Sequence, residues 1–119
     1  MNCIFCKIVD KEIPSNVLFE NDDFLSFHDI NPKAPVHILI VPKTHYQSFQ
    51  DLPSELMSKM TTFIQKLAVT LGVDKSGYRL ITNIGENGGQ EVPHLHFHLL
   101  GGAKLKWEHF TDADPKNMI

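Results

Sequence analysis

The chain has 119 residues, 42% of them hydrophobic, 21% charged and 9% aromatic, which excludes a disordered, collagen-like or low-complexity architecture and suits one domain with its own core. The net charge is −3, with 14 acidic residues interspersed among 11 basic ones and Arg79 the one arginine; a reader of nucleic acid is disfavoured, a small phosphorylated ligand is not. The apolar run Ile38-Leu39-Ile40-Val41 falls far short of the ~20 residues of a membrane span, and polar Asn2 and Lys7 break any secretory leader, so no membrane association and a cytoplasmic location are expected.

Taken in chain order, Asn2 to Ile13 places Ile4, Phe5, Ile8 and Val9 on one helical face, with Pro14-Ser15-Asn16 as the stop. Val17–Glu20 and Phe24–His28 read as strands around an Asn21-Asp22-Asp23 turn. Asn31-Pro32-Lys33-Ala34-Pro35 is a rigid loop. Val36 to Val41 is an apolar strand ended by Pro42. From about Pro53 to Leu71, the stripe Leu56, Met60, Phe63, Ile64, Leu67 and Leu71 predicts the long helix, closed by Gly72. Tyr78 to Asn83 alternates as a strand, Ile84 to Gln90 is a glycine-rich loop, and His94 to Leu100 alternates throughout. Only the connection from Val41 to Tyr78 is long enough for a crossover. The expected fold is therefore α+β, a mostly antiparallel sheet with one long helix and a short N-terminal one.

Histidine is the unusual component. There are seven, and His94, His96 and His98 stand at alternate positions of one predicted strand. Their imidazoles share a face, with Leu95, Phe97 and Leu99 on the other. If the leucines and Phe97 enter the core, the histidines are not expected to be buried with them. Solvent-facing strand positions usually carry Thr, Lys or Glu, so this pattern points to metal ligation or phosphoryl chemistry. One ion cannot take all three, because residues i and i+4 of a strand lie ~13 Å apart.

The run His94-Leu-His-Phe-His-Leu-Leu resembles the signature of the histidine-triad (HIT) family. Cys3-Ile-Phe-Cys-Lys-Ile, Glu12-Ile-Pro, Phe27-His-Asp-Ile-Asn-Pro, Ala34-Pro-Val-His, Val41-Pro-Lys-Thr-His and Gly88-Gly-Gln-Glu-Val are similar to Hint-type members, in the same order. The resemblance extends to about Gly102. It implies a single HIT domain over residues 1–119, with 103–119 a diverged tail, and a homodimer that extends the sheet. The stripe on the long helix, flanked by Met57, Ala68 and Val69, also reads as wider than one sheet face requires.

The resemblance further implies a hydrolase for purine nucleoside phosphoramidates or related nucleotide conjugates, in which His96 attacks the α-phosphate and a nucleotidyl-histidine forms. Neutral imidazole suits that role, since its ordinary pKa is ~6.5. By the same resemblance His98 and Asn83 serve the phosphate site, and Asp29 binds the ribose. Phe5, Ile8, Phe27 and Ile30 line a base slot near which His28 stacks. The glycines of the Ile84 to Gln90 loop permit a tight turn between strands, and by the same resemblance Gly89 and Gln90 also present backbone amides to the phosphate. At Glu91, better-known Hint enzymes carry a hydroxyl residue that contacts the leaving group. His37, inside an apolar strand, reads as structural, and His109 has no assigned role.

Cys3 and Cys6 form a C-x-x-C pair. A redox motif would need a preceding strand, and a disulfide an oxidising compartment; two buried thiols or one tetrahedral metal are the remaining readings. The resemblance implies a structural zinc, one per chain, completed by His45 and His94. Three other functions stay open at this point: a zinc hydrolase using the triad, a Fhit-type dinucleoside polyphosphate hydrolase, and a nucleotide-binding scaffold of weak activity.

Overall fold

The structure, a computed structural model, describes residues 3–108 and 110–114; His109 lies outside them. Strands β1 (Val17–Glu20), β2 (Phe24–His28), β3 (Val36–Pro42), β4 (Tyr78–Ile81) and β5 (Phe97–Gly101) form a five-stranded sheet in the order β1-β2-β3-β5-β4. Every neighbouring pair is antiparallel. Helix α1 (Ile4–Val9) precedes the sheet, and α2 (Ser54–Thr70) carries the chain from β3 past β5 to β4. Among the described residues, no helix is long and apolar enough to cross a membrane.

The apolar run of β3 is explained by its central place. Six of its seven residues are buried, because helices cover both faces of the sheet. On one face Phe24, Ile38, Ile40, Phe97 and Leu99 pack with Met60, Ile64, Leu67 and Ala68 of α2. On the other, Leu25, Phe27, Leu39 and Val41 pack with Cys3 and with Phe5 and Ile8 of α1. The period-two side-chain alternation of β2, β3 and β5 thus feeds two cores. Each fully buried Leu, Ile or Phe contributes about 1.5–3 kcal/mol.

The end of α2 follows its sequence signal. Gly72 takes φ +73°; its N–H donates to the Val69 carbonyl and the Val73 N–H to that of Ala68, both at 3.0 Å, a Schellman closure. Across the β1–β2 pair, the buried Ser26 hydroxyl of β2 accepts from the Phe19 N–H of β1 at 3.0 Å and donates to the Phe19 carbonyl at 2.9 Å. It closes the irregularity between Val17 and Phe19.

Two sequence expectations are corrected and one is extended. The last strand begins at Phe97, not at His94. The Leu95 N–H donates to the Tyr46 carbonyl at 2.7 Å and the Thr82 hydroxyl to the His96 carbonyl at 2.9 Å, so this stretch leaves the ladder while its side chains keep alternating. Secondly, the histidines stay out of the core of Leu95, Phe97 and Leu99, as expected, yet His94 and His96 are buried on their own face, at 0% and 7% exposure, where Phe5 of α1 packs on them. Thirdly, the width of the α2 stripe is met largely within the chain. Ala68 is buried and Met57 packs on the same core, leaving Val69 exposed.

Candidate active site and metal centre

The three histidines of the triad have three different surroundings, and their partners assign their tautomers. The His94 Nε2–H donates to the Pro42 carbonyl at 2.9 Å, which leaves the Nδ1 lone pair facing Cys3 Sγ at 3.3 Å and Cys6 Sγ at 3.5 Å. The His96 Nδ1–H donates to the His94 carbonyl at 2.8 Å, so its Nε2 carries the lone pair. The Phe5 ring stands edge-on to His96, with centroids 5.0 Å apart.

His98 is set by a relay from outside the triad. The Lys33 N–H donates to His37 Nδ1 at 3.0 Å, so His37 Nε2 bears the hydrogen given to His98 Nδ1 at 2.9 Å. His98 is left with an Nε2–H. Burial, then the neighbouring His96 and His37, pull the His98 pKa down to about 4. Burial also lowers His37, against the pull of Asp29, whose Oδ2 lies 3.5 Å from its Nε2. Both rings are neutral at neutral pH.

Cys3, Cys6, His45 and His94 bring one ligand atom each to within 4.8 Å of one another. Cys6 Sγ lies 3.3 Å from His45 Nδ1. Tetrahedral zinc with bonds of ~2.3 Å to sulfur and ~2.0–2.1 Å to nitrogen sets S···N edges of roughly 3.5 Å, so the donor set fits that ion. Local structure prepares it. Cys3 is the N-cap of α1, its sulfur accepting the Cys6 N–H at 3.3 Å, which places both sulfurs at the first turn. Burial, reinforced by Cys3 and Asp10, pushes the Cys6 thiol up to about 11, and a divalent cation would reverse that balance.

His96 and His98 line a cleft of about 230 Å³ with Phe5, Leu39, Asp29, Lys33, Asn83, Gly89, Glu91 and Val92. Of the residues expected there, Phe5, Asp29, Asn83, Gly89, His96 and His98 converge. Ile8 and Phe27 are buried beneath it, Phe27 against the Phe5 ring at 5.8 Å. His28 and Ile30 are not among the residues that line this cleft, and Ile30 is 92% exposed on the loop after β2.

The glycine loop closes on itself as the tight turn expected of it. The Gly89 N–H donates to the Glu86 carbonyl and the Gln90 N–H to the Gly85 carbonyl, both at 3.0 Å, so these amides serve the loop. The Gln90 side chain staples it, accepting from the Gly85 N–H at 3.0 Å and donating to the Gln47 and Val92 carbonyls at 2.6 and 3.0 Å. A Cβ at Gly88 would collide with the Ile84 backbone. Lys33, Leu39 and Val92 were not foreseen in the cleft, and His37 had been read only as structural. Period-two counting along β3 carries the signal for two of them, since His37 and Leu39 share the Val41 face.

These neutral histidines link stability to pH. The unfolded chain titrates near the ordinary 6.5, the folded His98 at about 4 and His37 below its usual value, so the unfolded state binds more protons as pH falls. The contribution is complete above about 7 and is lost as pH falls from about 6.5 towards 4. Thermal melts should show Tm falling over that window with net proton uptake on unfolding, and a shallower slope in His98→Gln. A flat profile between pH 7 and 5 would contradict the relay.

The comparisons with known proteins agree with this geometry. The HIT domain family matches residues 10–105. An uncharacterised HIT-like protein of Helicobacter pylori is 52% identical over 101 residues, spanning 85% of this chain and 97% of its own. The crystal structure of an HIT family hydrolase from Legionella pneumophila superposes with a TM-score of 0.85 at 47% identity, covering 89% of this chain and 97% of that one. A histidine triad nucleotide-binding protein from Candida albicans gives 0.79 at 34% identity, covering 98% and 90%. By sequence, fold and the histidine constellation alike, this chain belongs to the HIT domain family.

Proposed function

We propose that the protein is a HIT-type nucleotide hydrolase that cleaves purine nucleoside 5′-phosphoramidates, or related nucleotide conjugates, to the nucleoside monophosphate through a nucleotidyl-histidine on His96. One observation carries the reading: the Nδ1–H of His96 is held by the His94 carbonyl at 2.8 Å, leaving an Nε2 lone pair on a cleft beside a neutral His98. The Legionella relative is described as a hydrolase and the Candida relative as nucleotide-binding, which supports the same class.

In the first step His96 Nε2 attacks the α-phosphorus and the bond to the leaving nitrogen breaks, the departing amine taking a proton from water. In the second, water attacks the phosphorus, its proton passes to solvent, and His96 is released with the monophosphate. His98 Nε2–H donates to a phosphoryl oxygen, Lys33 offsets its charge, and Asp29 accepts from the ribose hydroxyls. Phe5, Leu39 and Val92 give the apolar surface for the base, and Asn83 stands by the phosphate. His96→Ala should lower kcat by about 10³-fold or more with nucleotide binding retained. In the wild type, an acid-labile nucleotidyl adduct should map to His96. An adduct on another residue, or ordinary turnover by the variant, would refute the assignment.

The metal of the Cys3, Cys6, His45 and His94 cluster is taken to be zinc, one per chain. A closed four-ligand shell supplies structural bracing and no open coordination position. Protein purified without chelators should carry one equivalent, and stripping it should lower Tm; metal analysis finding none would count against the site.

The same reading makes the protein a homodimer. The outer edge of β4 has no strand partner among the described residues, Leu80 and Val69 are exposed at 40% and 60%, and two-fold pairing would remove an open edge. Sedimentation equilibrium at micromolar concentration should return twice the chain mass of 13.5 kDa; a monomer mass would rule the dimer out.

A further inference from the structure

The His96 cleft does not end at the glycine loop. Gly89 and Glu91 line it and also line a second, larger cavity of about 500 Å³, so the two share a wall. At about 230 Å³ the first is smaller than the ~300–1,000 Å³ of sites that enclose a whole ligand. It has room for part of a two-part conjugate. Its apolar surface from Phe5, Leu39 and Val92, with Asp29, suits the nucleoside half. Displacement at phosphorus then sends the other half past Gly89 and Glu91.

The charges of the two cavities differ. The first holds Lys33 as well as carboxylates, whereas the charged side chains of the second are Glu86 and Glu91 alone. The ion pairs among the described residues are Lys11–Glu20, His37–Asp29, Lys43–Glu20 and Lys59–Asp23, none of which engages either glutamate. A neutral or anionic leaving group would bring the substrate's phosphate up to Glu91 with no cation on the second cavity's side, Lys33 standing in the first, to offset the repulsion. A leaving group bearing an ammonium offsets it and places its charge between Glu91 and Glu86.

We propose that the cavity lined by Glu86 and Glu91 is the leaving-group subsite, that Glu91 determines its specificity, and that the favoured substrates are nucleoside phosphoramidates whose amine carries a second, cationic amine. This deepens the nucleotidyl-transfer reading of His96 and rests on it.

The test uses the full chain and three adenosine 5′-phosphoramidates whose N-linked four-carbon chain ends in an ammonium, a methyl or a carboxylate. In low salt, kcat/KM for the ammonium compound should exceed that for the methyl compound by about tenfold, with the carboxylate compound slowest. The spread should shrink in Glu91→Gln, to a lesser degree in Glu86→Gln, and in the wild type at 0.5 M salt. Equal kcat/KM for the ammonium and methyl compounds, or a preference untouched by both substitutions, would overturn the proposal. If no compound of the series is turned over, the hydrolase reading falls by itself. The same three chains on non-hydrolysable sulfamoyl-adenosine, measured by calorimetry, then decide the subsite. An ammonium preference of about tenfold in Kd that Glu91→Gln abolishes supports it, and equal Kd values refute it.

Discussion

His94 is wholly buried, and each of its polar atoms has a partner. Its N–H donates to the Val92 carbonyl and its Nε2–H to that of Pro42; its own carbonyl accepts the His96 Nδ1–H, and its Nδ1 faces the cysteine sulfurs. An unpaired polar group at such a depth would cost about 1–3 kcal/mol, so these bonds constrain their surroundings. They take the backbone of residues 94–96 out of the sheet ladder, and they fix the tautomer of His96. They also bind the end of β3, through Pro42, to the metal cluster. The proposed nucleophile and the metal corner are therefore parts of one hydrogen-bonded unit, two residues apart in the chain.

That unit explains how so short a helix as α1 holds its place. A helix of six residues is far below the ~12–15 at which an isolated helix becomes even marginal, so its stability must come from contacts. Phe5 and Ile8 supply apolar burial, and Cys3 and Cys6 bring the first turn to His94 and His45. The C-terminal end is tied as well. Lys11, in a left-handed conformation at φ 64°, sends its ammonium to Glu20 at 2.7 Å. With α1 in place, Phe5 covers His96 and becomes a wall of the cleft, so the covering element and the binding element are the same residue.

Much of this was legible from local pattern. The α2 stripe with Gly72 beyond it, the apolar run of β3 and the alternation through the triad each report a preference that the fold respects. The HIT motifs named in advance Phe5, Asp29, Asn83, Gly89, His96 and His98 of the cleft and all four residues of the candidate metal cluster. The departures share a cause, which is that they depend on elements distant in sequence. Alternation shows that His94 and His96 oppose Leu95, but not that α1 will return to cover them. Glycines at 88 and 89 announce a tight loop, yet only the fold shows that the loop uses its own amides. Ile30, placed in the base slot by the HIT resemblance, stands exposed beside the turn in which Asp29 Oδ1 accepts the Asn31 N–H at 2.8 Å. His37 seemed structural because its partners, Lys33 and His98, are set by a loop and a register invisible in β3 alone.

The electrostatics of the cleft follow from the same arrangement. In the proposed reaction a chain of net charge −3 would receive an anionic phosphate between Asp29 and Glu91 without a cluster of arginines. It would do so with aimed N–H groups in place of accumulated positive charge. The Lys33 main chain orients His37, and His37 orients His98, so that a neutral ring presents Nε2–H. Because burial keeps His98 neutral well below pH 6, it can offer a phosphate a neutral N–H donor. The Lys33 ammonium then provides the local charge from the same residue that starts the relay. Neutral donors favour a site in which charge must redistribute during the reaction, since they are oriented before substrate arrives and need no further reorganisation. The hydrogen bonds that orient the rings and the burial that neutralises them are thus one constraint, imposed by packing α1 and the residue 31–35 loop over the histidine face.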